Sequence, residues 1–220
     1  MARLTTSADT TNPGNVWYNS TINKLQYSYV VSAAWSAGGA LITARSALAG
    51  AGTQNEALAF GGQLAGPTYA VVSCTEEYNG TSWTAGGALI TASLYLAGVG
   101  TQNAGLAFGG LPVGSCTEEY NGTSWSTGGA LITARNGLAG AGTQNAGLAF
   151  GGTGAPTCAC TEEYNGTSWA SCLALITGRC RLGGAGTQSA GLAFGGVNSL
   201  SVIVSCTEEY TGGQNLICTP

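Results

Sequence analysis

The chain has 220 residues, six basic and ten acidic side chains, no histidine and a net charge of −4. So few scattered cations exclude a nucleic-acid surface, which needs clustered Lys and Arg. Without imidazole there is no histidine base, nucleophile triad or histidine metal ligand. Thirty-seven glycines point to an interior of close backbone contacts, while regularly placed Tyr, Trp, Phe and Leu argue against disorder.

Taken in chain order, residues 1–10 carry no apolar run and do not read as a signal peptide. No stretch approaches the ~20 apolar residues of a spanning helix. The expectation is a chain made in a cytoplasm without membrane insertion, a description that virus particle proteins also meet. Residues 15–25 read as a β-hairpin, with Trp17 and Tyr27 packed together, and residues 1–24 as an N-terminal arm. Residues 29–35 run from Tyr to Trp over six positions, close to the five found later in three of the repeats.

From there the chain repeats itself. Thr-Glu-Glu-Tyr-Asn-Gly-Thr-Ser-Trp stands at 75–83, 117–125 and 161–169, and its first four residues return at 207–210. Trp35, Trp83, Trp125 and Trp169 are 48, 42 and 44 residues apart. A period of this size signals a repeat architecture. Within one unit, 48–52 and 57–61 are short apolar strands joined by a Thr53-Gln54-Asn55 turn. A strand over 72–78 follows, then Asn79-Gly80, expected as a type I′ turn with positive φ at both residues, then a strand from Trp83. Helix formers in Ala-Leu-Ile-Thr-Ala-Arg are interrupted by Gly-Gly at 38–39, 86–87 and 128–129, so no helical window survives.

Four strands joined by tight turns make one antiparallel sheet with two faces to cover. Radial packing covers both, with Gly and Ala crowded near an axis and Tyr and Trp filling the wider rim. The expected fold is all-β, a small β-propeller of four blades with four antiparallel strands each, over residues 25–210, with 211–220 as a tail.

This pattern resembles kelch-type repeats. Gly61-Gly62, Gly109-Gly110, Gly151-Gly152 and Gly195-Gly196 take the diglycine place. Tyr78, Tyr120, Tyr164 and Tyr210 take the Tyr place, and Trp83, Trp125 and Trp169 follow five residues later. Arg45, Arg135 and Arg179 lie ten residues after Trp35, Trp125 and Trp169, with Ser93 at that position in the second unit. Four diglycine units are fewer than the six or seven blades common in kelch propellers. Ring closure is expected from the N-terminal segment, which supplies the outer strand of the last blade. Residues 214–219 as that strand, or two chains sharing a larger ring, are the alternatives. Asn15 to Leu25, of the form WYN-x-T-x-x-KL from Trp17, is similar to a hairpin of bacteriophage tail-fibre and virion proteins. That resemblance implies a non-enzymatic structural or adhesion role on a particle, with other virion proteins, a host-surface receptor or glycan, or further copies of the chain as partners.

Candidate function residues follow from the spacings. Trp to Arg is ten and Arg to diglycine sixteen wherever Arg is present, whereas diglycine to Tyr varies over 16, 10, 12 and 14. Only that loop changes length, and loops carry grafted binding. The candidate binding face is therefore Arg45, Arg135 and Arg179 with Tyr69, Pro67, Pro112 and Pro156 in the variable loops. Arg can grip an anion with its planar fork or pair with a strand Glu (Glu76, Glu118, Glu162 or Glu208) as scaffold. Adjacent Glu-Glu residues point to opposite faces, so no carboxylate dyad or Ca²⁺ site is expected. Cys74, Cys116, Cys160 and Cys206 share one repeat position and read as small buried hydrophobes. Cys158, Cys172, Cys180 and Cys218 lie outside it, and Cys206 and Cys218 could face each other across a hairpin. No metal or cofactor is expected. The Asn-Gly-Thr sequons read as turns.

Overall fold

The computed structural model describes residues 16–27, 34–67, 69–154 and 159–212. The chain is all-β, with no helix among the described residues. It divides into a unit over Met1–Ala37 and a unit over Gly38–Pro220.

The first unit holds the expected hairpin, β1 (Val16–Asn19) and β2 (Lys24–Tyr27). Its register runs from Val16↔Tyr27 to Asn19↔Lys24, so a boundary after residue 24 would cut it in two. The Asn19 side chain accepts the Thr21 and Ile22 amides across the turn, a local cap typical of Asn. The expected packing of Trp17 on Tyr27 falls outside the described side chains.

In the second unit the repeats form successive sheets. The first repeat contains β3 (Arg45–Ser46), β4 (Ala49–Gly52), β5 (Ala57–Phe60), β6 (Gln63–Leu64), β7 (Thr75–Tyr78) and β8 (Trp83–Ala85). The second contains β9 (Ala97–Thr101), β10 (Ala104–Phe108), β11 (Thr117–Tyr120) and β12 (Trp125–Thr127), and the third β13 (Ala139–Thr143), β14 (Ala146–Phe150), β15 (Thr161–Tyr164) and β16 (Trp169–Ser171). The fourth contains β17 (Arg179–Cys180), β18 (Gly183–Thr187), β19 (Ala190–Phe194), β20 (Val197–Asn198) and β21 (Thr207–Thr211). Sheets one to three are four-stranded antiparallel meanders, whereas the fourth has three strands among the described residues, β18–β19–β21, as expected if its outer strand comes from another part of the sequence. Short two-stranded pairs, β3–β6 and β17–β20, close the mouth of the variable loop in the first and fourth units.

Glycine builds the joints between sheets. The first strands β4, β9, β13 and β18 lie side by side in that order. A Cβ on Gly98 would stand 2.5 Å from Phe60 Cζ and 2.9 Å from the Gly50 carbonyl, so only glycine admits the neighbouring sheet. Phe60, Phe108 and Phe150 of successive second strands lie on Gly98, Gly140 and Gly184. Both residues of each of the four diglycines have positive φ, from 64° to 104°, a region that glycine enters without steric penalty.

Two expectations change. In the Asn-Gly loops only Gly80, Gly122 and Gly166 have positive φ. Asn79, Asn121 and Asn165 instead turn their side chains onto the amides two and three residues on. These are four-residue Asn-capped loops, not type I′ turns, because the Asn carboxamide replaces the backbone as acceptor.

The row of sheets is open among the described residues. β18 and β4 are not neighbours, and Phe194 is 42% exposed where Phe108 is 1% exposed. Residues 29–33 and 214–219, the two segments expected to supply the closing strand, lie outside the described residues. Trp35 is described and is fully exposed.

Candidate binding face

Strand direction puts the variable loops, the Arg positions and the link from each fourth strand to the next first strand at one end of the sheets. The residue types there decide what that end can bind.

The three arginines are scaffold and do not belong to a binding face. Arg45 pairs with Glu76, Arg135 with Glu162 at 3.2 Å and Arg179 with Glu208 at 2.6 Å, with almost all of these side chains withdrawn from water. Each guanidinium also donates to a carbonyl of its own second strand, Ala59, Ala149 or Ala193. The carboxylates hold the incoming link as well. Ile42 and Thr43 donate their amides to Glu76, Ile132 and Thr133 to Glu162, and Ile176 and Thr177 to Glu208.

Charge-assisted bonds explain the titration of these groups. Burial opposes ionisation of Glu76, but the Arg45 side chain and the Ile42 and Thr43 amides overcome it and hold the carboxyl below its ordinary value. In Glu208 burial again opposes, and the Ile176 and Thr177 amides with Arg179 win. Burial lowers the Arg135 pKa, with Glu162 and Cys160 opposing.

The second unit performs the same task without arginine. Glu118 accepts the Ile90 and Thr91 amides, each at 2.8 Å, and Cys116 donates its thiol to it at 3.5 Å. Burial, foremost, and the Glu118 charge push the Cys116 thiol pKa up, with the Thr91 hydroxyl opposing. Ser93 donates to the Gly109 carbonyl. A small cavity of about 10 Å³ remains beside Ser93, Cys116 and Glu118.

What the face offers instead is apolar. Tyr69 is 64% exposed, and Pro67 and Pro112 are exposed with Leu111 and Val113. Leu200, Val202 and Ile203 extend this surface in the fourth unit. Pro156 lies outside the described residues. Ile42, Ile90, Ile132 and Ile176, one in each link, are all exposed. Tyr95, with positive φ and 38% exposure, also lies here. The sequence reading missed it because it lies just before a first strand, outside the variable loop, at a position where the repeats share no residue type. Its repeat equivalents Ala47, Gly137 and Arg181 share the positive φ, and the four form a ladder across the sheets. Tyr95 N–H donates to the Ala47 carbonyl, Gly137 N–H to Tyr95 and Arg181 N–H to Gly137.

The recurring Tyr and Trp are structural. Trp125 packs between Phe60, edge to face, and Tyr120, tilted, each centroid 4.9 Å away, and donates Nε1–H to Thr75 Oγ1 at 2.9 Å. Trp169 repeats this with Phe108, Tyr164 and Thr117. Tyr120 donates its hydroxyl to Glu77, Tyr164 to Glu119 and Tyr210 to Glu163. Burial, and then the carboxylate that accepts the proton, push the Tyr120 and Tyr164 pKa values up to about 12.

Cys74, Cys116, Cys160, Cys172, Cys180 and Cys206 form no disulfide and are half-buried, the four at the shared repeat position being less enclosed than expected. Cys158 and Cys218 lie outside the described residues. Among the described residues, no group of three or more metal-ligating side chains gathers, and no helix is long and apolar enough to cross a membrane. No protein-family model matches the chain, and no curated protein matches it.

Proposed function

We propose that the chain is a non-enzymatic component of a bacteriophage particle, in a tail, fibre or capsid-associated position, serving assembly or attachment to a host surface. It is synthesised in the host cytoplasm. Its sheets are blades of a kelch-like propeller, with four blades per chain. The ring is completed when a segment ending at Trp35 adds an outer strand beside β21. The observation that carries this reading is how the recurring charges are used. The arginines and their Glu partners are consumed inside the scaffold, which leaves an end lined by Tyr69, Tyr95 and one exposed isoleucine per unit. Such a surface suits a protein partner or the apolar faces of sugar rings. The hairpin at 15–25 and the near-identical repeats supply the link to a particle. Mass spectrometry of purified particles is expected to find the chain at fixed stoichiometry; its absence from them ends the proposal.

The confinement of length variation to one loop type favours a second reading, a non-viral kelch-like module that binds a protein through the same face. Capture of one host protein by the immobilised chain, lost in Tyr69→Ala/Tyr95→Ala, would select it.

A further inference from the structure

We propose that a second copy of this chain packs its first sheet, head to tail, on the fourth sheet, and that the Trp35 of that copy fills the groove there. The inference rests on the blade reading above and adds which chain supplies the closing strand.

Three joints within the chain repeat one step. Phe60, Phe108 and Phe150 each lie on the glycine of the next first strand. The amides of Gln102, Gln144 and Gln188 each clasp two carbonyls of the preceding sheet, those of Ala57 and Tyr78, Gly105 and Tyr120, and Gly147 and Tyr164. Both halves of a fourth joint are present and uncovered. Phe194 is exposed at the outgoing end, and Gly50 and Gln54 are exposed at the incoming end. One further step sets Phe194 on Gly50 of a second copy and the Gln54 amide of that copy on the Gly191 and Tyr210 carbonyls. Ala57 stands where Gly105 and Gly147 stand. At Gly105 an added Cβ would come 2.8 Å from Leu58 Cδ2, so Leu192 must yield slightly at the fourth joint, and a leucine tip can.

The groove gives the second, independent observation. Among the described residues the fourth sheet has no strand beside β21, and a cavity of about 380 Å³ lies there, lined by Phe150, Thr161 and Tyr210 among others. At the two complete joints the equivalent space holds the Trp of the fourth strand, hydrogen-bonded to Thr75 or Thr117. Thr161 is the next threonine in that series. Trp35 leads into Gly38-Gly39 as Trp83 leads into Gly86-Gly87, and Gly38 and Gly39 face Tyr78 and Thr81 as Gly86 and Gly87 face Tyr120 and Thr123, which makes Trp35 the sequence counterpart of the Trp that opens each fourth strand. The docking copy is a second chain because β4 and β18 of one chain are not neighbours after three equal steps. Head-to-tail contacts of this kind close into rings or extend as filaments.

The test is mass measurement on the full chain by light scattering and native mass spectrometry, with Trp35→Ala and Phe194→Asp. Trp35 and Phe194 are both exposed, so neither change empties the core. Wild type is expected at twice the chain mass or more, each variant at least tenfold weaker in self-association, and an equal mixture of the two to recover a two-chain species through its one intact joint. Self-association that survives both substitutions overturns the proposal. A single-chain mass with Trp35 shielded from acrylamide, read as the quenching difference between wild type and Trp35→Ala, overturns it too but keeps the propeller, closed by the chain's own strand. A single-chain mass with Trp35 open to quencher overturns both.

Discussion

The joint between sheets two and three and the outer face of sheet four are built from the same residues in different surroundings. Phe108 is 1% exposed, packs at a tilt against Trp169 with ring centroids 5.0 Å apart and presses on Gly140. Phe194 has the same neighbours in sequence, no sheet beyond it and 42% exposure. Leu106 is fully buried and Leu192 half-buried. A repeat unit thus makes its core from the next unit, and its side chains contribute to stability only where a neighbour covers them.

The comparison breaks most sharply with Phe108→Ala against Phe194→Ala. Removing a buried ring costs about 3–5 kcal/mol, so urea unfolding of Phe108→Ala should show a loss of that order, while Phe194→Ala in the single chain should lose under about 1 kcal/mol. Equal losses would show that sheet four is covered in solution. Arg135→Met comes next, since it strands the buried Glu162 charge and should cost about 3 kcal/mol or more. Gly140→Ala follows at about 1–3 kcal/mol, because its Cβ would lie 2.6 Å from the Phe108 ring. Gly50→Ala, whose Cβ meets only the Leu58 carbonyl at 3.1 Å, should cost less.

Titration sharpens the same contrast. The folded pKa values of Glu76 and Glu208 lie below the ordinary 4.5. Their contribution is therefore complete above about pH 4.5 and is lost as pH falls through the folded values. Melting temperature followed from pH 7 to pH 3 should drop, and Arg45→Met should flatten that acid limb. Tyr120 and Tyr164 shift the other way, from 10 to about 12. Absorbance titration should find their phenolate appearing near pH 12, and the stability they lend persists below pH 10 and fades as pH rises through 12. Ser93→Arg is the smallest effect. The new guanidinium gains Glu118 as a partner but must be buried to reach it, so the unfolding free energy should change by under about 1 kcal/mol.

Much of this scaffold was readable because glycine and aromatic residues report geometry. The diglycines marked the ends of the second strands, and Tyr78, Tyr120 and Tyr164 with the Trp five residues on announced paired outer strands. The constant Trp–Arg and Arg–diglycine spacings separated framework from variable loop. The candidate face was less legible. Arg45, Arg135 and Arg179 could serve a ligand or a Glu, the recurring Glu favoured the pairing, and burial decides between them. Asn79 was misread because its side chain, not its φ, satisfies the turn. Tyr95 escaped because no repeat rule asks for an aromatic there. The short pairs β3–β6 and β17–β20 are two residues long and leave no periodic trace.

The glutamine clasps carry one last implication. Gln102, Gln144 and Gln188 grip main-chain oxygens alone, and every amino acid supplies one. The grip therefore reads path rather than side chain, and already holds Ala57 and Gly105 alike. Drift in the gripped strand goes unnoticed by the hand that holds it, so duplicated units can diverge, be lost or be inserted while the coupling between neighbours stays the same.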